Sequence, residues 1–174
     1  MYKMTQAEAA ATKVTGSEFF TRIDEGIKRT NETGRPFLAI MIQLVNLQAF
    51  KQQRPTHVVN SLMRELLSLA RKSIHTSQYV GIVGEGLGFI FEGVEVGQAD
   101  ILSRKLVMIA QHVIKTGKYN DLSSRWSDIL YQFLWPNKPG ILYPSAGWAI
   151  YPRDGTTGRD IATRAMAHVA ELRR

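Results

Sequence analysis

Residues 78–93 have the sequence QYVGIVGEGLGFIFEG. Two short runs of β-forming residues, 79–83 and 87–91, flank the tripeptide Gly84-Glu85-Gly86. A tight turn between two strands needs residues that adopt positive φ, and glycine does so without steric cost. The stretch therefore predicts a β-hairpin with one carboxylate, that of Glu85, at its tip.

The segments on either side of this hairpin carry two kinds of apolar pattern. Residues 37–45 are an almost continuous apolar run, which is typical of a strand that is buried on both faces and central in its sheet. Residues 141–151 predict the last strand. Apolar residues at helical spacing predict helices at 17–31, 56–73, 97–115 and 159–174.

The order of these elements predicts the fold class. After the first helix, the order is strand, helix, strand, strand, helix, strand, helix, which is a βαββαβ outline. We expect an α/β fold of the α+β sandwich type, ferredoxin-like or nucleotidyl-cyclase-like, in which helices flank a mixed sheet. Residues 1–13 are expected to be a leader or a linker from an upstream region, and residues 14–174 a single domain with an insert at about 117–140.

The insert contains three large aromatic residues, Trp126, Phe133 and Trp135. Large apolar side chains that stay exposed mark a partner surface, whereas the same side chains can also fold back to cover a sheet edge. Both alternatives are open at this point.

Composition excludes several classes of function. The chain has 174 residues, a formal net charge of +7 and no cysteine, so it has no disulfide, no thiolate nucleophile and no cysteine zinc site, which favours a cytoplasmic protein. Its basic residues are scattered, so we do not expect nucleic-acid binding. No apolar run is long enough for direct membrane insertion. The four histidines lie apart without i, i+4 pairing, so a histidine metal site is not expected.

The glycines at 81, 84, 86 and 88 look at first like a phosphate-binding loop. Such a loop needs a helix N-terminus directly after it, and these glycines lie inside the predicted hairpin. We therefore interpret them as turn and close-packing glycines.

Five stretches, in the same order along the chain, together resemble a GGDEF domain, the fold of diguanylate cyclases. The signature of that family corresponds to residues 83–87, and its opening Leu-Thr-Gly to residues 14–16. Residues 42–47 lie where the family has its Asp-containing first strand, and residues 164–167 fit its last helix. The most specific match is SAGWAIYPRDG at residues 145–155. The resemblance covers about residues 14–174.

The resemblance implies a chemistry that this chain matches only in part. Active members hold two GTP molecules face to face and use carboxylates to bind divalent metal ions, which neutralise the triphosphate charge. The metal-binding Asp of the first strand falls at Gln43, and the second acidic signature position falls at Gly86. Glu85 keeps the first acidic position and is the one candidate metal ligand. Gln43, Glu85 and Gly86 are therefore degenerate catalytic positions.

The nucleotide-contacting positions are altered as well. The phosphate-contacting Lys of the family falls at Gln48, its guanine-reading Asn at Lys51 and the partner Asp at Asn60. A second phosphate-contacting Lys falls at Arg173, which keeps the positive charge, and Gly84 keeps the turn. These five residues are the candidates for nucleotide binding.

Each charged contact that is lost costs about 1.5–3 kcal/mol, and several losses at one site should abolish turnover. We therefore expect a degenerate GGDEF domain that acts in cyclic-di-GMP signalling as a regulatory, scaffolding or nucleotide-sensing module of a larger protein. The expected partners are other signalling domains, such as an EAL, a sensor or a second GGDEF domain, with GTP as a candidate ligand. No cofactor is expected, and Mg²⁺ only together with a bound nucleotide. The alternative is an active diguanylate cyclase with an atypical site built on Glu85.

Overall fold

The computed structural model describes residues 16–117, 119 and 141–171. The helices of these regions are α1 (Gly16–Thr33), α2 (Leu47–Gln53), α3 (Thr56–Ser73), α4 (Val96–Thr116) and α5 (Gly158–Glu171). The strands are β1 (Phe37–Val45), β2 (Tyr79–Val83), β3 (Gly86–Glu92) and β4 (Tyr143–Tyr151). The predicted helices and strands are present with similar bounds. The leader at 1–13 and nearly all of the insert at 117–140 lie outside the described residues.

The strands form one four-stranded sheet in the order β2-β3-β1-β4. The α+β sandwich and its ferredoxin-like order are confirmed. The expectation of a mixed sheet is wrong, because every hydrogen-bonded strand pair among the described residues is antiparallel. The reason is topological. Each strand–helix–strand connection joins two strands of the same direction, and an antiparallel strand is inserted between them.

The central position of β1 follows from its continuous apolar sequence. Alternate side chains of a strand point to opposite faces of the sheet. Leu38, Ile40 and Ile42 are buried on the face that packs against α3 and α4. Phe37, Ala39 and Met41 are buried on the face that packs against α1 and α5. Full burial of a large apolar side chain contributes about 1.5–3 kcal/mol, so both faces of β1 hold the two helical layers in place.

The predicted hairpin is confirmed, with Gly84 and Glu85 as the two turn residues. Gly84 has φ of 57°, as the first position of a type II′ turn requires. The register pairs Val83 with Gly86 in the hairpin and Gly86 with Gln43 of β1. This register places the hairpin tip beside the end of β1.

No helix among the described residues is both long and apolar enough to cross a membrane.

Candidate functional site

A cleft of about 570 Å³ lies where the hairpin tip meets the end of β1 and the start of α2. The polar side chains that line it belong to Gln43, Asn46, Gln48 and Glu85. The cleft therefore brings together four predicted site residues, namely Gln43, Gln48, Gly84 and Glu85. Glu85 is the only carboxylate among the described residues that line it.

The carboxylate of Glu85 is neutralised from within the protein. The Lys51 ammonium lies 3.0 Å from Glu85 Oε1, and the side-chain amide of Gln48 donates a hydrogen bond to the same oxygen. The side chains of Lys51 and Glu85 are 40% and 39% exposed, so the ion pair is in contact with water. A pair of this kind contributes at most about 1 kcal/mol to stability. The ion pair places a positive charge against Glu85, the only carboxylate among the described residues that line the cleft.

The start of α2 explains why Gln48 and Lys51 reach the hairpin tip. Residues at i and i+3 of a helix lie on the same side. A second side of α2, about 100° around the helix axis, is anchored by Leu47 and Phe50, which are buried. Asn46 connects β1 to α2 with φ of 66°, a left-handed conformation that asparagine tolerates better than most residues. Gln48 and Lys51 are thereby fixed on the side that faces Glu85.

Gly86 is packed against the backbone of β1. An ideal Cβ at this position would lie 1.7 Å from the carbonyl oxygen of Ile42 and 3.1 Å from the Cα of Gln43. Gly86 therefore allows an approach of β3 to β1 that any other residue would prevent. The prediction of close-packing glycines is confirmed here, and also at Gly88, where a Cβ would lie 2.7 Å from the Phe19 ring.

The remaining predicted site residues lie elsewhere. Asn60 is exposed on α3 and does not line the cleft, and Arg173 lies outside the described residues. Gln43 is partly buried on β1, between Gly86 of β3 and Ser145 of β4.

Two apolar side chains in the cleft were not predicted as site residues. Phe20 of α1 and Met166 of α5 line the cleft, and they are 40% and 38% exposed. Phe20 belongs to the apolar pattern that predicts the helix at 17–31, but it is exposed, whereas Phe19 and Ile23 of the same pattern are fully buried. Successive residues of a helix lie 100° apart, so Phe19 and Phe20 point in different directions. Two adjacent phenylalanines in a helix cannot both face the core, so this pair indicated that one of them lies on a second surface, which here is the cleft.

Metal ligands do not cluster in this structure. The described part of the chain contains no group of three or more His, Asp, Glu or Cys side chains that could hold a metal ion. Glu85 is the only acidic residue at the hairpin tip.

The SAGWAIYPRDG motif builds a turn rather than a reactive site. The backbone amide of Ile150 donates a hydrogen bond of 2.8 Å to the Asp154 carboxylate, and Arg153 donates to both oxygens of that carboxylate. Partial burial opposes the charge of Asp154, but the hydrogen bonds from Arg153 and Ile150 outweigh it, so its pKa lies below the ordinary 3.8. This motif therefore stabilises the turn that follows β4.

Comparison with known proteins supports the fold. The chain matches no protein-family model and no curated protein sequence. Among solved structures, it is similar to the active GGEEF domain of a diguanylate cyclase from Vibrio cholerae, with a TM-score of 0.66 at 15% identity over 91% of this chain and 89% of that one. The chain has the GGDEF-domain fold.

Two further GGDEF structures show the same similarity. A sensory box/GGDEF protein from Caulobacter crescentus has a TM-score of 0.65 at 15% identity and covers 91% of this chain and 92% of its own. The GGDEF domain of DgcB from the same organism, solved in complex with c-di-GMP, has a TM-score of 0.64 at 15% identity over 92% of this chain and 85% of that one. In the GGDEF fold of this chain, the cleft lies at the hairpin tip, where the signature of the family was expected.

Proposed function

We propose that this chain is a catalytically inactive GGDEF domain that acts in cyclic-di-GMP signalling as a regulatory or nucleotide-sensing module. The observation that carries the proposal is the Lys51–Glu85 ion pair of 3.0 Å. It pairs the only carboxylate among the described residues that line the cleft with a cation, whereas a metal-dependent phosphoryl transfer would need that carboxylate free to bind the metal ion.

The residues of the cleft do not fit a Mg²⁺ ion. Magnesium prefers an octahedron of oxygen ligands that includes one or two carboxylates. Here the carboxylate of Glu85 is already bound by an ammonium and an amide. A divalent cation placed about 4 Å from the Lys51 ammonium would be repelled by about 2 kcal/mol even in water. We infer that a ligand binds this cleft without a metal ion.

Gly86 explains why a second carboxylate is absent from the hairpin tip. Its Cα faces the carbonyl group of Ile42 so closely that a Cβ would overlap it. The position of the second signature acid therefore has no room for a side chain in this arrangement of the strands. This geometry supports an inactive site that is fixed in the fold rather than one lost through a single reversible substitution.

The cleft keeps the properties of a weak site for a purine nucleotide. The side-chain amides of Asn46 and Gln48 already donate to the Ile141 carbonyl and to the Glu85 carboxylate. Their oxygens, each with two lone pairs, offer acceptors to the donor groups on the edge of a base. The exposed ring of Phe20 offers a flat apolar wall on which a base can stack. The Lys51 ammonium lies 3.0 Å from Glu85 of the cleft, so it is a cation within reach of a bound phosphate group. GTP is therefore the first ligand to test.

The resemblance to GGDEF domains also implies a second nucleotide site, an Arg-x-x-Asp pair shortly before the signature that active members use for product inhibition, and we infer that this chain lacks it. The corresponding residues run from Ile74 to Ser77. Ile74 is buried, and the Ser77 hydroxyl donates a hydrogen bond of 3.0 Å to the Ile74 carbonyl. Neither residue supplies the cation or the carboxylate of that pair. We propose that regulation acts through contact with other signalling domains, such as an EAL, a sensor or a second GGDEF domain, in the cytoplasm.

The proposal is tested by calorimetric titration with GTP and with cyclic di-GMP, each in the presence of Mg²⁺ and again with a chelator. Chromatography of the GTP sample then detects any cyclic di-GMP. We expect weak GTP binding that is equal in the two buffers, and no product. Formation of cyclic di-GMP would overturn the proposal and support the alternative, an active cyclase with an atypical site.

Two variants separate these outcomes. Glu85→Gln removes a negative charge close to the phosphates, so we expect GTP affinity to rise about fivefold, the equivalent of about 1 kcal/mol for one charge at 4 Å in water. Lys51→Met should weaken GTP binding, and Lys28→Met, an exposed lysine of α1, is its control. In an active cyclase, Glu85→Gln would instead abolish product formation.

A further inference from the structure

The outward side of α4 carries the most exposed large apolar side chains among the described residues. Ile101 and Met108 are each 68% exposed. They are seven residues apart, so they lie on the same side of the helix and about 10.5 Å apart along its axis. Neither residue lines the cleft at the hairpin tip.

Cations flank these two side chains. Arg104, Lys105 and Lys115 are exposed on the same side of α4. The single acidic residue of the helix is Asp100, and its carboxylate accepts a hydrogen bond of 2.9 Å from the indole of Trp148. From residue 101 to residue 116, α4 therefore presents three fixed positive charges and no negative one.

The opposite side of α4 is firmly attached to the domain. Ala99, Leu106, Ala110 and Val113 are buried against the sheet and α3. The helix also begins with a capping box between Glu95 and Gln98. Exposure of Ile101 and Met108 is therefore a property of a helix that is held in place along its length, and it is not the result of a loosely attached helix.

We infer that the α4 outer face, formed by Ile101, Arg104, Lys105, Met108 and Lys115, is a docking surface for an acidic amphipathic helix of a partner polypeptide. Two apolar side chains seven residues apart and flanked by charges match one side of a heptad-spaced helix pair. The cations call for Asp or Glu at the flanking positions of the partner. This surface is independent of the nucleotide cleft.

The positive charges and the narrow apolar strip of the α4 outer face favour an acidic helix over other occupants. A second copy of α4 would place Arg104 and Lys105 against like charges, which is unfavourable. A helix that lies in a membrane surface needs a broad apolar side, but the broad apolar side of α4 is the one already buried in the core. The exposed apolar strip is two side chains long and one side chain wide, which suits one partner helix.

The test uses a synthetic helical peptide of about three heptads, with Leu at the two core positions and Glu at the flanking positions of each heptad. The ¹⁵N-labelled full chain is titrated with this peptide and followed by NMR. We expect shifts confined to α4 and its neighbours and a Kd of about 100 µM or tighter. A peptide with Lys in place of Glu is the first control and should not bind.

Two variants locate the contact. Met108→Asp should weaken the peptide about tenfold through loss of the apolar contact. Arg104→Glu combined with Lys105→Glu should weaken it about fivefold or more. Lys28→Glu combined with Lys72→Glu reverses the same charge on other helices and should leave the affinity unchanged. Circular dichroism confirms that each variant is folded.

Other results would overturn the inference. Absence of binding to the wild-type chain at millimolar peptide would do so, as would shifts that map to another surface. An equal loss of peptide affinity in the Arg104→Glu/Lys105→Glu and Lys28→Glu/Lys72→Glu variants would show that the peptide responds only to the net charge of the protein. Binding to vesicles rich in phosphatidylglycerol or to duplex RNA that is lost in Met108→Asp, without binding of the acidic peptide, would assign the surface to a membrane or a nucleic acid instead.

Discussion

Replacement of Gly86 by alanine tests how closely the hairpin tip is packed on the central strand. A Cβ at this position would lie 1.7 Å from the Ile42 carbonyl oxygen, whereas real Cβ contacts are essentially never shorter than 3.0 Å. The overlap involves backbone atoms, which cannot rotate away as a flexible side chain could. The end of β3 must therefore move from β1 by at least about 1.3 Å.

The cost follows from the contacts at that end of the sheet. Overpacking of this kind costs about 1–3 kcal/mol. The Leu44 amide donates to the Glu85 carbonyl over 3.4 Å, so further separation breaks this hydrogen bond and costs about 1 kcal/mol more. Alanine regains about 0.5–1 kcal/mol because glycine has more conformational freedom in the unfolded chain. We expect Gly86→Ala to lower the free energy of unfolding by about 2 kcal/mol.

Urea denaturation followed by far-UV circular dichroism measures this loss. Two other glycines serve as controls, because a Cβ at either would meet no atom within 4 Å. Gly84→Ala should cost about 1–2 kcal/mol, through its positive φ alone. Gly97→Ala, near the start of α4, should be neutral or slightly stabilising. If Gly86→Ala were as stable as Gly97→Ala, the strands would separate freely, and the steric account of the missing second acid would be wrong.

Three further predictions concern charges and caps. Lys51→Met should change the free energy of unfolding by less than about 1 kcal/mol, and by less still at high salt, because the ion pair with Glu85 is exposed. Urea denaturation at two salt concentrations checks this. A loss of stability that persists at high salt would contradict it. The folded-state pKa of Asp154 lies below 3.8, so the contribution of this carboxylate to stability should be complete above about pH 5 and lost as the pH falls through about 4 and below. Asp154→Asn should therefore flatten the acidic part of a plot of unfolding free energy against pH. An unchanged slope in this variant would count against the prediction. Thr157 and Asp160 cap the start of α5 reciprocally: the Thr157 amide donates to the Asp160 carboxylate over 3.0 Å, and the Asp160 amide donates to the Thr157 hydroxyl over 3.2 Å. Thr157→Ala should therefore lower the free energy of unfolding by about 1 kcal/mol. In the same denaturation assay, this loss should be clearly larger than that of Thr156→Ala.

The helices and strands could be predicted because burial leaves a periodic pattern in the sequence. The continuous apolar run of β1 indicated a central strand, and the structure buries both of its faces. The glycines of residues 78–93 indicated the hairpin and its tip. The relative direction of neighbouring strands was harder to predict, because the apolar pattern shows which side of a strand is buried but not which strand lies beside it. The sheet was therefore expected to be mixed, although all its pairs are antiparallel.

The sequence singled out several residues of the cleft without predicting their contacts. Gln43, Gln48 and Glu85 do meet in one cleft. Lys51 and Glu85 were assigned separate roles, yet they form an ion pair across 34 positions of sequence. Such a pair depends on how α2 is oriented after β1, and that orientation is set by the positive φ of Asn46, which no apolar pattern reports. The same limit applies to Phe20, whose exposure depends on the space between α1 and α5.

The two departures at the hairpin tip are physically connected. Gly86 lets β3 approach β1 to a distance at which a Cβ would collide with Ile42. That approach holds the turn beside the end of β1, where the Glu85 carboxylate comes within reach of Lys51 and Gln48 of α2. A larger residue at position 86 would push the turn outward and lengthen these contacts. A carboxylate added at position 86 would therefore move the Glu85 carboxylate away from Lys51 and Gln48 instead of joining it in one site.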